Sequence, residues 1–98
     1  MENSWREGKF IQTDSIATIA DGIGVRVPVP EALEDIKDLL DDVLLVTDTN
    51  IIEAMKLVHQ HLGLVLEPSG AVGIAALMKN KTMFARQRIA TILCGGNL

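Results

Sequence analysis

Apolar residues recur at helical spacing through the middle of this chain and become nearly continuous toward its end. Ile51, Met55, Val58 and Leu62 keep to one face of a helix, and Gly63 supplies a stop. Thr47 stands where a cap belongs, because its hydroxyl can accept from an amide of the first turn, and Asp48 then meets the positive end of the dipole. A capped helix is therefore predicted between Thr47 and Gly63. A second helix, about residues 30 to 40, is opened by Pro30 at its first position. Glu31, Glu34 and Asp35 follow in the early turns, and Leu33, Ile36 and Leu40 form its apolar stripe. Near the start, Ser4-Trp5-Arg6-Glu7-Gly8 has the form of a capping box followed by a glycine stop, the stub of a helix whose first turns would precede Met1.

Other stretches carry no helical period. Residues 9 to 29 are expected to run extended, and so is Leu64 to Glu67. Val43-Leu44-Leu45-Val46 is a short apolar strand candidate. From Pro68 to about Met78 the chain is apolar all round and rich in small residues, which predicts a buried helix packed closely on its neighbours. Ile89 to Cys94 leaves almost nothing polar on either face, the pattern of an interior strand covered on both sides. The order strand, helix, helix, strand predicts an α/β fold: a partial parallel sheet with a right-handed crossover.

Composition narrows the function. The 98 residues are 48% hydrophobic, enough for one small domain or part of one, with a core of aliphatic residues because aromatics make up 3%. A net charge of −4, with no basic stripe or aromatic stacking set, argues against nucleic-acid binding. No apolar run reaches the roughly 18 residues that a membrane span needs, and no charged-then-apolar leader opens the chain. A single cysteine forms no internal disulfide, which fits a reducing, cytoplasmic setting.

Several residues carry possible chemistry. Open α/β sheets bind ligands at the carboxyl ends of their strands, where the tail places Cys94 before Gly95 and Gly96. On composition alone, Cys94 is most simply a small buried hydrophobe. By itself Gly22 is the end of an extended segment, and Asp21 beside it is best taken as a turn former. Glu67 follows three apolar residues and precedes Pro68, so it is either a partly buried carboxylate or an acid at a helix start. His59 and His61, two apart on a helix, point in different directions and cannot jointly grip a metal. The run Glu31, Glu34, Asp35, Asp38, Asp41, Asp42 lacks the glycine and spacing of a calcium loop and is a solvated face. No metal site is expected.

Four blocks in order carry a resemblance: Thr18-Ile19-Ala20-Asp21-Gly22, Pro28-Val29-Pro30-Glu31-Ala32-Leu33, Glu67-Pro68-Ser69-Gly70-Ala71-Val72-Gly73, and the Ile89–Asn97 tail. Together they resemble the C-terminal part of the catalytic domain of the threonine dehydratase and serine racemase family, fold type II pyridoxal-phosphate enzymes. The resemblance implies that the chain is a fragment of the large cofactor domain, a single partial domain over 1–98. It also implies that Cys94 hydrogen-bonds the pyridine nitrogen, that Gly22 and Gly95 lie beside the ring, that Glu67 stands close by, and that Gly96 supports the ring side. Asn97 would cap a helix beyond this chain.

The family's Schiff-base lysine motif and phosphate-binding glycine run are not in this sequence. Lys9, Lys37, Lys56, Lys79 and Lys81 all stand in surface-like settings. The expectation is a parent ammonia-lyase that turns threonine or serine into a 2-oxo acid and ammonia, with pyridoxal phosphate as cofactor. The chain alone is expected to be inactive and to bind no cofactor by itself. A homo-oligomer, or a missing N-terminal part, is expected to cover its apolar faces. A noncatalytic α/β module and a piece of a serine racemase remain the alternatives.

Overall fold

The computed structural model describes residues 1–95, which form two compact units: Met1–Ala17 with Gly24–Leu44, and Thr18–Ile23 with Leu45 onward. Gly96 and Asn97 lie outside the described residues.

In the first unit, helix α1 spans Glu2–Glu7 and ends at Gly8, whose φ of 67° is the left-handed stop expected of that glycine. The capping box is not formed. The helix starts earlier than predicted, with Met1 in the cap position, so Ser4 falls inside it. There the buried Ser4 hydroxyl turns to the returning chain, donating to the Ile11 carbonyl at 3.0 Å and accepting from the Ile11 amide at 2.9 Å. Arg6 pairs with Glu2 and, at 2.9 Å, with Asp42. The Val43 amide, and after it Arg6, hold the Asp42 carboxyl below its ordinary pKa. Helix α2, Pro30–Ile36, opens on its proline as expected but ends one turn early. Beyond Ile36 the chain loosens into single turns, and Leu40 is exposed instead of completing an apolar stripe.

The second unit is built on helix α3, Asp48–Leu62. Its start is a reciprocal cap: the Asn50 amide donates to the Thr47 hydroxyl and the Thr47 amide to the Asn50 side chain, both at 3.1 Å. Gly63, with φ 67°, closes the helix by donating to the His59 carbonyl at 2.9 Å. Replacing Thr47 by alanine is expected to cost about 1 kcal/mol. Thermal unfolding should register that loss, whereas Thr47→Ser should restore most of it.

Ile51, Ala54 and Val58 form the buried face of α3, and Met55 packs partly against them. Leu62, expected on the same stripe, is instead exposed. The predicted Pro68–Met78 helix is a 3-10 turn, Pro68–Ala71, running into helix α4, Val72–Lys79. Ala71 and Ala75 are fully buried, and α3 packs against α4 and this turn. Alanines at the contact let the helix axes approach closely. Leu66 and Ala20 complete the core, each of the larger aliphatic side chains contributing about 1.5–3 kcal/mol of burial.

No strand is present among the described residues, so the expected parallel sheet and crossover are not seen among them. Val43–Val46 and Ile89–Cys94 are not paired in a ladder among the described residues, and a strand exists only through such pairing. Among the described residues, one backbone bond joins the Leu64–Glu67 segment to the tail, from the Glu67 amide to the Gly95 carbonyl at 3.1 Å. The tail is also not interior: Ile89 is 46% and Ile92 81% exposed, and only Leu93 packs against the core.

Candidate functional site

The Pro68–Ala71 turn gathers the residues singled out in the sequence. Pro68 fixes φ at the first position of the turn, and the Gly70 amide closes it on the Glu67 carbonyl at 2.9 Å. Glu67 is thus the residue just before the turn, half-buried, with its backbone bonded to Gly95.

Four glycines record how closely the other segments approach. A Cβ on Gly70 would overlap the carbonyl oxygen of Cys94 and lie 2.8 Å from its carbonyl carbon, so the tail crosses the turn backbone to backbone. A Cβ on Gly95 would fall 2.6 Å from Cδ and 2.8 Å from Cγ of Glu67. Gly95 also has φ 71°, so both its conformation and its contact with the Glu67 side chain require glycine. At Gly22 a Cβ would meet the Ser69 hydroxyl at 2.9 Å, a lighter conflict because that side chain can rotate. In the first turn of α4, Gly73 makes room for Thr91 of the tail in the same way.

All four candidates therefore converge within the second unit: Glu67 on the turn, Gly22 against Ser69, Cys94 over Gly70, and Gly95 under the Glu67 side chain. The Cys94 thiol is exposed. That corrects its description as a buried core residue. Asp21 opens the short 3-10 turn Asp21–Ile23, in keeping with its role as a turn former.

Asp48 is the residue that sequence reasoning missed. Its sequence signal is only its place in the first turn of α3, yet its carboxylate accepts from the Thr18 hydroxyl at 2.6 Å and the Ile19 amide at 3.2 Å. The Thr18 oxygen in turn accepts from the Ala20 amide at 3.2 Å. No local signal ties residue 48 to residue 18, because the bond spans thirty positions and appears only when α3 is laid beside the segment. Gly70 and Gly73 had a signal in their three-residue spacing, which puts both on the side of the turn and helix that faces the tail.

His59 and His61 are exposed on α3, and among the described residues no group of three or more His, Cys, Asp or Glu is arranged to hold a metal. No described helix is long and apolar enough to cross a membrane.

Comparison with known proteins points the same way as the four blocks. Residues 1–95 match the family model described as pyridoxal-phosphate dependent enzyme. The chain is 36% identical over 96 residues to a β-hydroxyaspartate dehydratase of Paracoccus denitrificans, which covers 97% of this chain and 30% of that protein. It is 34% identical to an L-threonine ammonia-lyase of Geobacter sulfurreducens, covering 97% of this chain and 24% of the relative. Among solved structures, maize serine racemase superposes with a TM-score of 0.88 at 35% identity, over 99% of this chain and 32% of that one. The chain thus spans about a third or less of the length of the relatives it matches. With the family model matched along nearly its whole length, this chain belongs to the pyridoxal-phosphate dependent enzyme family.

Proposed function

We propose that this chain is the C-terminal part of the fold type II catalytic domain of an ammonia-lyase that converts threonine or serine to a 2-oxo acid and ammonia. The observation that carries the proposal is the convergence of three separate sequence blocks on the Pro68–Ala71 turn, with an exposed thiol at their meeting point.

The described residues suit the ring side of pyridoxal phosphate. Cys94 brings a neutral donor on a tail held by glycine backbone, and Gly22 and Gly95 add no side chain of their own beside it. Bound there, the cofactor would supply an electron sink for bond cleavage at the substrate α-carbon. The thiol would hydrogen-bond the pyridine nitrogen without holding a proton on it, as a carboxylate would, and so keep that sink shallow. Glu67 would fix the tail through its amide and its packing on Gly95.

The aldehyde side is not supplied here. All five lysines are exposed; the Lys37 ammonium pairs with Glu34 at 2.6 Å and that of Lys79 reaches the Leu45 carbonyl at 3.4 Å. Capture of the aldehyde and the phosphate, and most substrate contacts, would fall to the remainder of the protein. That remainder, or a second copy, would also complete the sheet against exposed residues such as Ile89 and Ile92. The similarity to maize serine racemase favours, as the second reading, a racemase built on the same site.

The test compares the isolated chain with the full-length protein, each with added pyridoxal phosphate and threonine or serine. The full-length protein should show Schiff-base absorbance and release a 2-oxo acid. The isolated chain should do neither, and borohydride reduction followed by mass analysis should find no specific adduct. A full-length protein without cofactor absorbance or turnover would overturn the assignment, and a single adduct on one of the five lysines would overturn the division of labour. Interconversion of serine enantiomers exceeding 2-oxo acid release would select the racemase.

A further inference from the structure

The segment Thr18–Ile23 contains one short 3-10 turn and no other regular structure, so the position of Gly22 must be imposed from outside. Two anchors are visible. Ala20 is 2% exposed in the core, and the Asp48 carboxylate receives the Thr18 hydroxyl and the Ile19 amide. The Ala20 amide, bonded to the Thr18 hydroxyl, and the Ile23 amide, bonded to the Ala20 carbonyl at 3.2 Å, carry that constraint forward to Gly22. Asp48 itself is held at the start of a fifteen-residue helix by the Thr47–Asn50 cap, so it is a fixed post.

We infer that Asp48 is a positioning residue: through Thr18 it clamps the Gly22 segment against Ser69 and so sets one wall of the candidate cofactor site. This rests on the proposed function for the identity of the ligand but not for the clamp. A charged acceptor with two donors from one short segment makes a stronger tie than a neutral hydrogen bond. A carboxylate there for the helix dipole alone would need no partner thirty residues away.

The experiment uses the full-length protein and the variants Asp48→Ala, Asp48→Asn, Thr18→Val and Thr18→Ser. Hydrogen exchange of the peptide covering residues 18–23 should rise about tenfold in Asp48→Ala and in Thr18→Val, because both open the same local bonds. Combining the two should add little, since they remove one shared interaction. Thr18→Ser should behave as the parent, and Asp48→Asn should lie between. With pyridoxal phosphate bound, Asp48→Ala and Thr18→Val should also shift the cofactor's absorption or fluorescence and weaken its binding about tenfold, whereas Thr18→Ser should not.

Unchanged exchange at 18–23 in Thr18→Val would overturn the clamp, and so would Asp48→Ala effects confined to the first turn of α3. Loosened exchange with an unaltered cofactor spectrum would overturn the positioning role. If the parent binds no pyridoxal phosphate, the proposed function fails while the exchange arm still decides the clamp.

Discussion

Cys94→Ser in the full-length protein is expected to keep activity within about tenfold of the parent, because a hydroxyl makes the same neutral hydrogen bond to a pyridine nitrogen. Cys94→Asp is expected to behave differently. A carboxylate would stabilise the protonated ring, deepen the electron sink, shift the cofactor's absorption and slow elimination on the order of a hundredfold, about 2.7 kcal/mol in the barrier. Exposure of the thiol sharpens the comparison. A side chain with only a surface role should tolerate both replacements within about 0.5 kcal/mol of stability and leave the spectrum alone. Spectra and turnover for Cys94→Asp that match the parent would defeat the assignment of Cys94 as a cofactor contact.

Gly70→Ala should have the larger structural effect. Gly70 has no left-handed φ, so alanine's lower chain entropy would by itself stabilise the turn by about 0.4–1 kcal/mol. The new methyl, however, would overlap the Cys94 carbonyl, and neither partner is a side chain that can rotate away. Turn or tail must shift, at about 1–3 kcal/mol, and overpacking therefore wins. Gly63→Ala provides the contrast. Its Cβ would meet nothing within 4 Å, so the cost comes from φ 67° alone, about 1–2 kcal/mol. Both variants should melt lower, but only Gly70→Ala should displace Cys94 and weaken cofactor binding in the full-length protein. A Gly70→Ala protein with parental melting and affinity would mean that the tail does not cross the turn as described.

The helices were legible where the signal is local. Thr47 and Gly63 bound α3 because a hydroxyl beside a free amide and a glycine able to reach positive φ act within a single turn. Pro30 marks the start of α2 for the same reason. Ser4 shows the limit of such signals: its spacing from Glu7 suits a capping box, but the helix begins at Glu2 and the hydroxyl finds Ile11 instead. A cap motif states what a side chain can do, whereas the position of the returning chain decides what it does.

The sequence by itself determined the membership, the helix boundaries at Thr47 and Gly63, and the roll of candidates Gly22, Glu67, Cys94 and Gly95. The boundaries follow from contacts within a few positions, whereas the membership and the candidates follow from the family resemblance that the four blocks carry. Tertiary structure alone decided that the four meet at the Pro68–Ala71 turn, that Cys94 is exposed, and that Asp48 anchors the Thr18 segment. It also decided that Val43–Val46 and Ile89–Cys94 form no strand within the described residues, despite an apolar pattern that fits one. The physical reason is shared: a helix satisfies its hydrogen bonds within its own segment, while strands, close backbone crossings and long-range anchors exist only when a distant partner arrives.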